Sequence, residues 1–118
     1  MNRVYSIKKK DDMDAIFKVK NSVGNGYFAV YTKKHEVSHF KFAVSIGKKY
    51  GNAVERNLAK RRIRYIVSKY KDLIKNDISF VIVIKPTVKS LKYNNILTNL
   101  EKLFVKSKLI EKEDVLNA

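Results

Sequence analysis

The sequence contains no cysteine. That excludes a disulfide framework, a thiolate metal site and cysteine nucleophile chemistry, and it fits a reducing cytoplasm. No apolar run approaches the roughly 20 residues of a transmembrane helix, and no signal-peptide pattern opens the sequence as given. Glycine is scarce, at four residues; Gly24 and Gly26 have no following Gly or Lys in a phosphate-loop register. Carboxylates are scarce too, with 11 Asp and Glu against 26 Lys and Arg. Asp11, Asp12 and Asp14 crowd one predicted helix start, where capping and the helix dipole account for them. His35 and His39 stand four apart in a polar segment without a third ligand and read as surface residues. A nuclease or phosphotransferase needs clustered carboxylates for a divalent metal, a phosphate loop, or a His or Ser dyad. None is visible, so no catalytic residue and no metal ligand is assigned, and the chain reads as a binder.

What is present is positive charge: a formal +15 and a pI near 10.0. Self-repulsion of that size opposes compaction unless an anionic partner relieves it. The partner is therefore a polyanion, with nucleic acid first and an anionic membrane surface second. A length of 118 residues and a hydrophobic fraction of 45% predict one domain, residues 1–118, that buries a core without staples.

Much of the charge is concentrated in residues 48–64, KKYGNAVERNLAKRRIR, which hold seven basic residues against the single acid Glu55. A disordered basic tail would lack apolar residues, yet Val54, Leu58, Ala59 and Ile63 run through this stretch. At about 100° per residue, Ala59, Ile63, Ile66, Val67, Tyr70 and Ile74 fall on one arc and Asn57, Lys60, Arg61 and Arg64 on another. The second arc is a cationic stripe roughly two turns long, which suits consecutive phosphates. Gly51 and Asn52 supply a turn and an N-cap, so the helix is predicted to start near Ala53 and run to about Lys71.

Residues 1–10 read as an extended lead-in. A helix of about ten residues follows, capped by Asp11 or Asp12, with Met13, Ile16, Phe17 and Lys20 at helical spacing. Residues 21–26 read as a loop and residues 27–32 (YFAVYT) as a strand. Residues 33–39 are polar, with room for a further strand or bend. Residues 40–46 (FKFAVSI) alternate Phe40, Phe42, Val44 and Ile46 on one face with Lys41, Ala43 and Ser45 on the other. After the basic helix, residues 78–84 (ISFVIVI) predict a central strand covered on both faces, ended by Lys85 and Pro86. Tyr93, Ile96, Leu97, Leu100, Leu103 and Phe104 predict a last amphipathic helix, followed by a frayed tail from Glu111. The order α, β, β, α, β, α is an α+β layer structure. Tyr27, Phe28, Tyr31 and Phe17 are candidates for stacking on unpaired bases, with Phe28, on the opposite strand face, the core residue of the set.

GNAVERNLAKRRIR resembles the signature of the bacterial ribonuclease P protein component. Lys48, Lys49, Gly51, Asn52, Ala53, Val54, Arg56, Asn57, Lys60, Arg61 and Arg64 occupy its positions. Ile16-Phe17-Lys18, Ser22-Val23, Asn25, the strand after Phe28, FKFAVSI and Lys85-Pro86 extend the likeness over most of the chain. The resemblance implies a single-domain two-layer α+β sandwich like the second domain of ribosomal protein S5, with a left-handed βαβ crossover around the basic helix. It implies a catalytic RNA with bound magnesium that removes the 5′ leader of precursor tRNA endonucleolytically, in the cytoplasm. The protein would bind that RNA through Lys48, Lys49, Asn52, Arg56, Asn57, Lys60, Arg61 and Arg64. It would hold the leader in a cleft between the first helix and the sheet, lined by Met13, Phe17, Tyr31, Lys41 and Ser45. No membrane and no protein partner is required. Met13 stands where the family usually has Phe, Gly26 where Arg is common, and Lys41 where Arg is frequent. A thioether lacks a π-face and Lys lacks Arg's planar fork, so leader preference is expected to differ. The alternative is a non-catalytic ribosomal or ribosome-assembly protein of the same fold. Such a protein would need one RNA-facing surface instead of two.

Overall fold

A computed structural model describes residues 5–116; the readings for residues 1–4 and 117–118 lie outside them. The elements are α1 (Lys10–Val19), β1 (Ser22–Gly24), β2 (Phe28–Lys34), β3 (Lys41–Ile46), α2 (Ala53–Lys69), β4 (Ile78–Ile84), α3 (Tyr93–Lys106) and α4 (Lys112–Leu116). One sheet runs β1-β2-β4-β3. β1 and β4 both pair antiparallel with β2, while β3 pairs parallel with β4, to which α2 connects it.

The period-2 pattern sets the two faces of this sheet. Phe28 and Val30, Phe42 and Val44, and Phe80, Ile82 and Ile84 point into one cluster with Ala59, Ile63, Ile66 and Val67 of α2 and Ile96, Leu100, Leu103 and Phe104 of α3. That layer is the core, and its arcs are those the spacing marks. The opposite face carries Ala29 and Tyr31, Ala43 and Ser45, Ser79 and Val83, all part-exposed. Val81, on that same face, is fully buried, as is Ile16 of α1, which packs on this side against β2 and β4. β4 is thus covered on both faces, as its unbroken apolar run requires.

Several sequence readings change. Residues 21–26 are not simply a loop, because Ser22, Val23 and Gly24 pair with Tyr31, Val30 and Ala29. The turn behind this pairing is made by Asn25, whose Oδ1 accepts from the N–H groups of Tyr27 (2.8 Å) and Phe28 (2.9 Å). The extra strand therefore lies before β2, and residues 37–39 form a bend. The N-cap position of α1 is Lys9, with no side-chain cap; Asp11 and Asp12 lie in the first turn, where they face the positive end of the helix dipole. Lys20 closes α1 at φ 59°, the left-handed conformation that turns the chain into β1. α2 ends at Lys69, two residues early, and the tail after Glu111 forms the short helix α4.

Candidate nucleic-acid interface

The first candidate surface is the solvent side of α2. Its entry is fixed by a short 3-10 turn at Lys48–Tyr50, in which Tyr50 is buried while Lys48 and Lys49 stay exposed. Asn52 then caps the helix: its Oδ1 accepts from the Glu55 N–H at 2.9 Å, and Glu55 Oε1 accepts from the Asn52 N–H at 3.1 Å. Arg56 Nε reaches back to the Asn52 carbonyl at 3.4 Å. A Cβ on Gly51 would stand 2.6 Å from Glu55 Oε1, so glycine there leaves room for the capping carboxylate. Glu55 also pairs with Lys89 Nζ at 2.6 Å, and that hydrogen bond, followed by the Asn52 one, holds its carboxyl below the ordinary 4.5.

The only acid of the basic stretch is thus turned toward Lys89. Asn57, Arg61 and Arg64 are exposed and Lys60 is half-buried, and among the described residues no carboxylate pairs with them. The buried arc fixes the helix, and the cationic arc follows from it. Replacing Asn52 by Ala is expected to lower stability by about 1 kcal/mol in urea unfolding at pH 7. The Glu55 contribution, from a carboxyl whose folded pKa is depressed, is present above pH 4.5 and lost as the pH falls through the lower folded value.

Sequence reasoning passed over the neighbours of this stripe. Val54, Leu58 and Tyr65 are 77%, 56% and 57% exposed, too open to be core. On the helical wheel they sit beside Arg61, and Lys69 Nζ lies 5.1 Å from the Tyr65 ring centroid. Their position between Arg61 and Arg62 was the available signal. The α2 surface is accordingly apolar and cationic in adjoining strips.

The second candidate surface lies between α1 and the open face of the sheet. Strand register arranges that face in rungs: Lys33, Ser79 and Lys41; then Tyr31, Val81 and Ala43; then Ala29, Val83 and Ser45. Phe17 of α1 meets Tyr31 edge to face, with centroids 4.8 Å apart at 77°. Both rings are half-buried, as is Met13, one turn before Phe17. The rung beyond Tyr31 and Ala43 carries the small side chains Ala29 and Ser45, with Val83 between them. Lys41 stands two rungs from Ser45 and lines, with Lys33 and Ser79 of the sheet and Asp12, Ala15 and Ile16 of α1, a cavity of about 520 Å³ between α1 and this face. Gly26 is exposed in the turn before β2. Tyr27 packs against the core, and Phe28 is fully buried.

His35 is not a plain surface residue. Its Nε2 donates to the Asn76 carbonyl at 2.8 Å, and Nδ1 lies 2.6 Å from Ser79 Oγ. The chain brings it there because the end of β2 runs beside the start of β4. Among the described residues, no group of three or more His, Asp or Glu is placed to hold a metal ion.

Fold and surfaces together define a small α+β domain that presents cations on one helix face, with a part-exposed aromatic pair between another helix and the sheet. Residues 1–108 match the ribonuclease P family, and the chain belongs to it. A ribonuclease P protein component from Acholeplasma laidlawii is 59% identical over 113 residues, covering 96% of this chain and 97% of that protein. One from Phytoplasma australiense is 43% identical over 111 residues, covering 93% and 96%. The solved Staphylococcus aureus RNase P protein superposes with a TM-score of 0.84 at 34% identity, over 91% of this chain and 98% of that one. The chain is thus a protein subunit of the tRNA 5′-processing endoribonuclease, and its partner is the ribonuclease P RNA.

Proposed function

We propose that the two surfaces divide the work of the subunit. The exposed side of α2, with Lys48, Lys49, Asn52, Arg56, Asn57, Lys60, Arg61 and Arg64, lies along phosphates of the catalytic RNA. The channel bounded by Met13, Phe17, Tyr31 and Ser45 holds the single-stranded 5′ leader of precursor tRNA. Lys41 adds positive charge further along the same strand. The observation that carries this reading is the separation of the two surfaces: a cationic helix face on one element, and a part-exposed aromatic pair between α1 and the sheet on another.

Catalysis is assigned to the RNA. This chain's share is to neutralise phosphate charge and to position the leader strand, so that the bond to the mature 5′ end sits at the RNA's own centre. Magnesium is assigned to the RNA in this proposal. Cytoplasm is the proposed location, and no helix among the described residues is long and apolar enough to cross a membrane. No observation favours the ribosomal reading.

Phe17→Ala tests the channel. In the reconstituted holoenzyme it is expected to weaken binding of a long-leader precursor tRNA by roughly 1–3 kcal/mol, the range for one base stacked on an aromatic ring. Binding of mature tRNA should not change. An equal loss for both RNAs would show that Phe17 supports the fold and not the leader.

A further inference from the structure

Val54, Leu58 and Tyr65 form a line along α2 that the core does not use, since all three stand more than half exposed. At about 100° per residue they fall within roughly 40° of one another, with Arg61 bordering the line on one side and Lys69 and Arg62 on the other. An exposed valine or tyrosine gains little from burial and is a weaker helix former than the Lys, Glu or Gln of a plainly solvated face. We propose that this line is a stacking platform for an unpaired nucleotide of the ribonuclease P RNA, with the base on the Tyr65 ring and the flanking phosphates on the bordering cations. The inference rests on the reading that the exposed side of α2 meets that RNA, and adds to it a contact with a base.

Three observations carry the proposal. First, the Tyr65 ring is braced and still open. Lys69 Nζ lies 5.1 Å from its centroid and 5.6 Å from that of Tyr93, so one ammonium group is shared between a ring of α2 and a ring of α3. Tyr65 nevertheless keeps 57% of its surface in water, and a ring held in this way loses little freedom when a base settles on it. Second, the cations beside the line are free to meet an anion: among the described residues no carboxylate pairs with Arg61, Arg62 or Lys69. Third, the pattern matches one kind of partner. A nucleotide joins an apolar, flat base to an anionic phosphate, and an aromatic ring bordered by unpaired cations offers a counterpart for each. The bases of a paired helix are already stacked on one another, whereas an unpaired base has a π-face to give. A second copy of this chain is disfavoured at the same place, because it would set the same cations against each other across the contact.

The test is filter binding of the full-length chain to the ribonuclease P RNA over a salt series, with a fluorescent reporter beside it. Tyr65→Ala is expected to weaken binding by about ten-fold, the order set by one base on an aromatic ring, and to leave the slope of log K against log salt unchanged, because no charge is removed. Tyr65→Phe should keep the parent affinity. Arg61→Ala, in contrast, should lower the slope by about one. The sequence contains no tryptophan, so Tyr65→Trp places a single indole on the platform. Its fluorescence should be quenched by the ribonuclease P RNA and far less by a fully paired RNA hairpin. If Tyr65→Ala binds like the parent while Arg61→Ala still flattens the slope, the stacking platform is overturned and the phosphate reading of α2 stands. If neither variant changes binding, both fall. A Tyr65→Ala loss that comes with a lower slope, or equal quenching by the paired hairpin, also overturns the proposal, since the ring would then act only by holding Lys69 or by lying near any RNA.

Discussion

Replacing Arg61 and Arg64 together by alanine is expected to weaken binding to the ribonuclease P RNA by on the order of 3 kcal/mol. It should also flatten the dependence of log K on log salt by about two charges. Both guanidinium groups stand exposed one turn apart on α2, and no described carboxylate pairs with either. Their backbone is already ordered by Ile63, Ile66 and Val67, all fully buried. A phosphate meeting these charges would therefore require no new segment to be ordered at the moment of binding. Alanine is a good helix former, and removing two like charges from a chain of formal charge +15 relieves repulsion. Thermal stability should hold or rise while affinity falls. Filter binding over a salt series checks this; an unchanged slope would mean that neither side chain meets a phosphate.

Phe80→Ala should have the largest effect on folding, a loss of about 3–5 kcal/mol. Phe80 is fully buried at the centre of β4, between β2 and β3. Its ring stacks on Phe42 at 5.4 Å and meets Phe40 at 5.8 Å and Phe104 at 6.5 Å. It is thus the ring through which β3, β4 and α3 touch at once. Truncation leaves a cavity walled by aromatic rings and sheet backbone that cannot collapse into it. Against a typical domain stability of about 5–15 kcal/mol, the unfolding midpoint should drop by more than about 10 °C. Urea unfolding of the two proteins measures the difference. A loss below about 1 kcal/mol would show that the aromatic cluster is not the keystone of the core.

The parts of the fold that follow from periodicity were legible in residues. The 3.6-residue arc of α2, the alternation in FKFAVSI and the unbroken ISFVIVI run each predicted the side that is buried, because each pattern extends over enough residues to exclude the other period. β1 was hidden because three residues including a glycine carry no alternation; its pairing is imposed by the Asn25 turn. The Lys9 cap position was hidden because no side chain makes that cap, and the two aspartates beside it satisfied the sequence rule one turn too late. The cationic face of α2 was legible as a stripe. The exposed Val54, Leu58 and Tyr65 were not singled out, since an apolar residue in a helical pattern reads as core until its angle to the buried arc is worked out. The cavity between α1 and the sheet was illegible. Lys8, Lys33 with His35, Lys41 and Ser79 come from four separate segments, and only strand register and the crossing of α1 bring them together.

Action of this subunit through both the RNA and the leader is the expectation with the most direct test. The direct measurement is cleavage of a 5′-labelled precursor tRNA by a bacterial ribonuclease P RNA at low magnesium, with and without this protein, on full-length and shortened leaders. The protein is expected to restore cleavage at the mature 5′ end, with a benefit that shrinks as the leader is trimmed. Tight RNA binding without any gain in cleavage, or a gain indifferent to leader length, would contradict it.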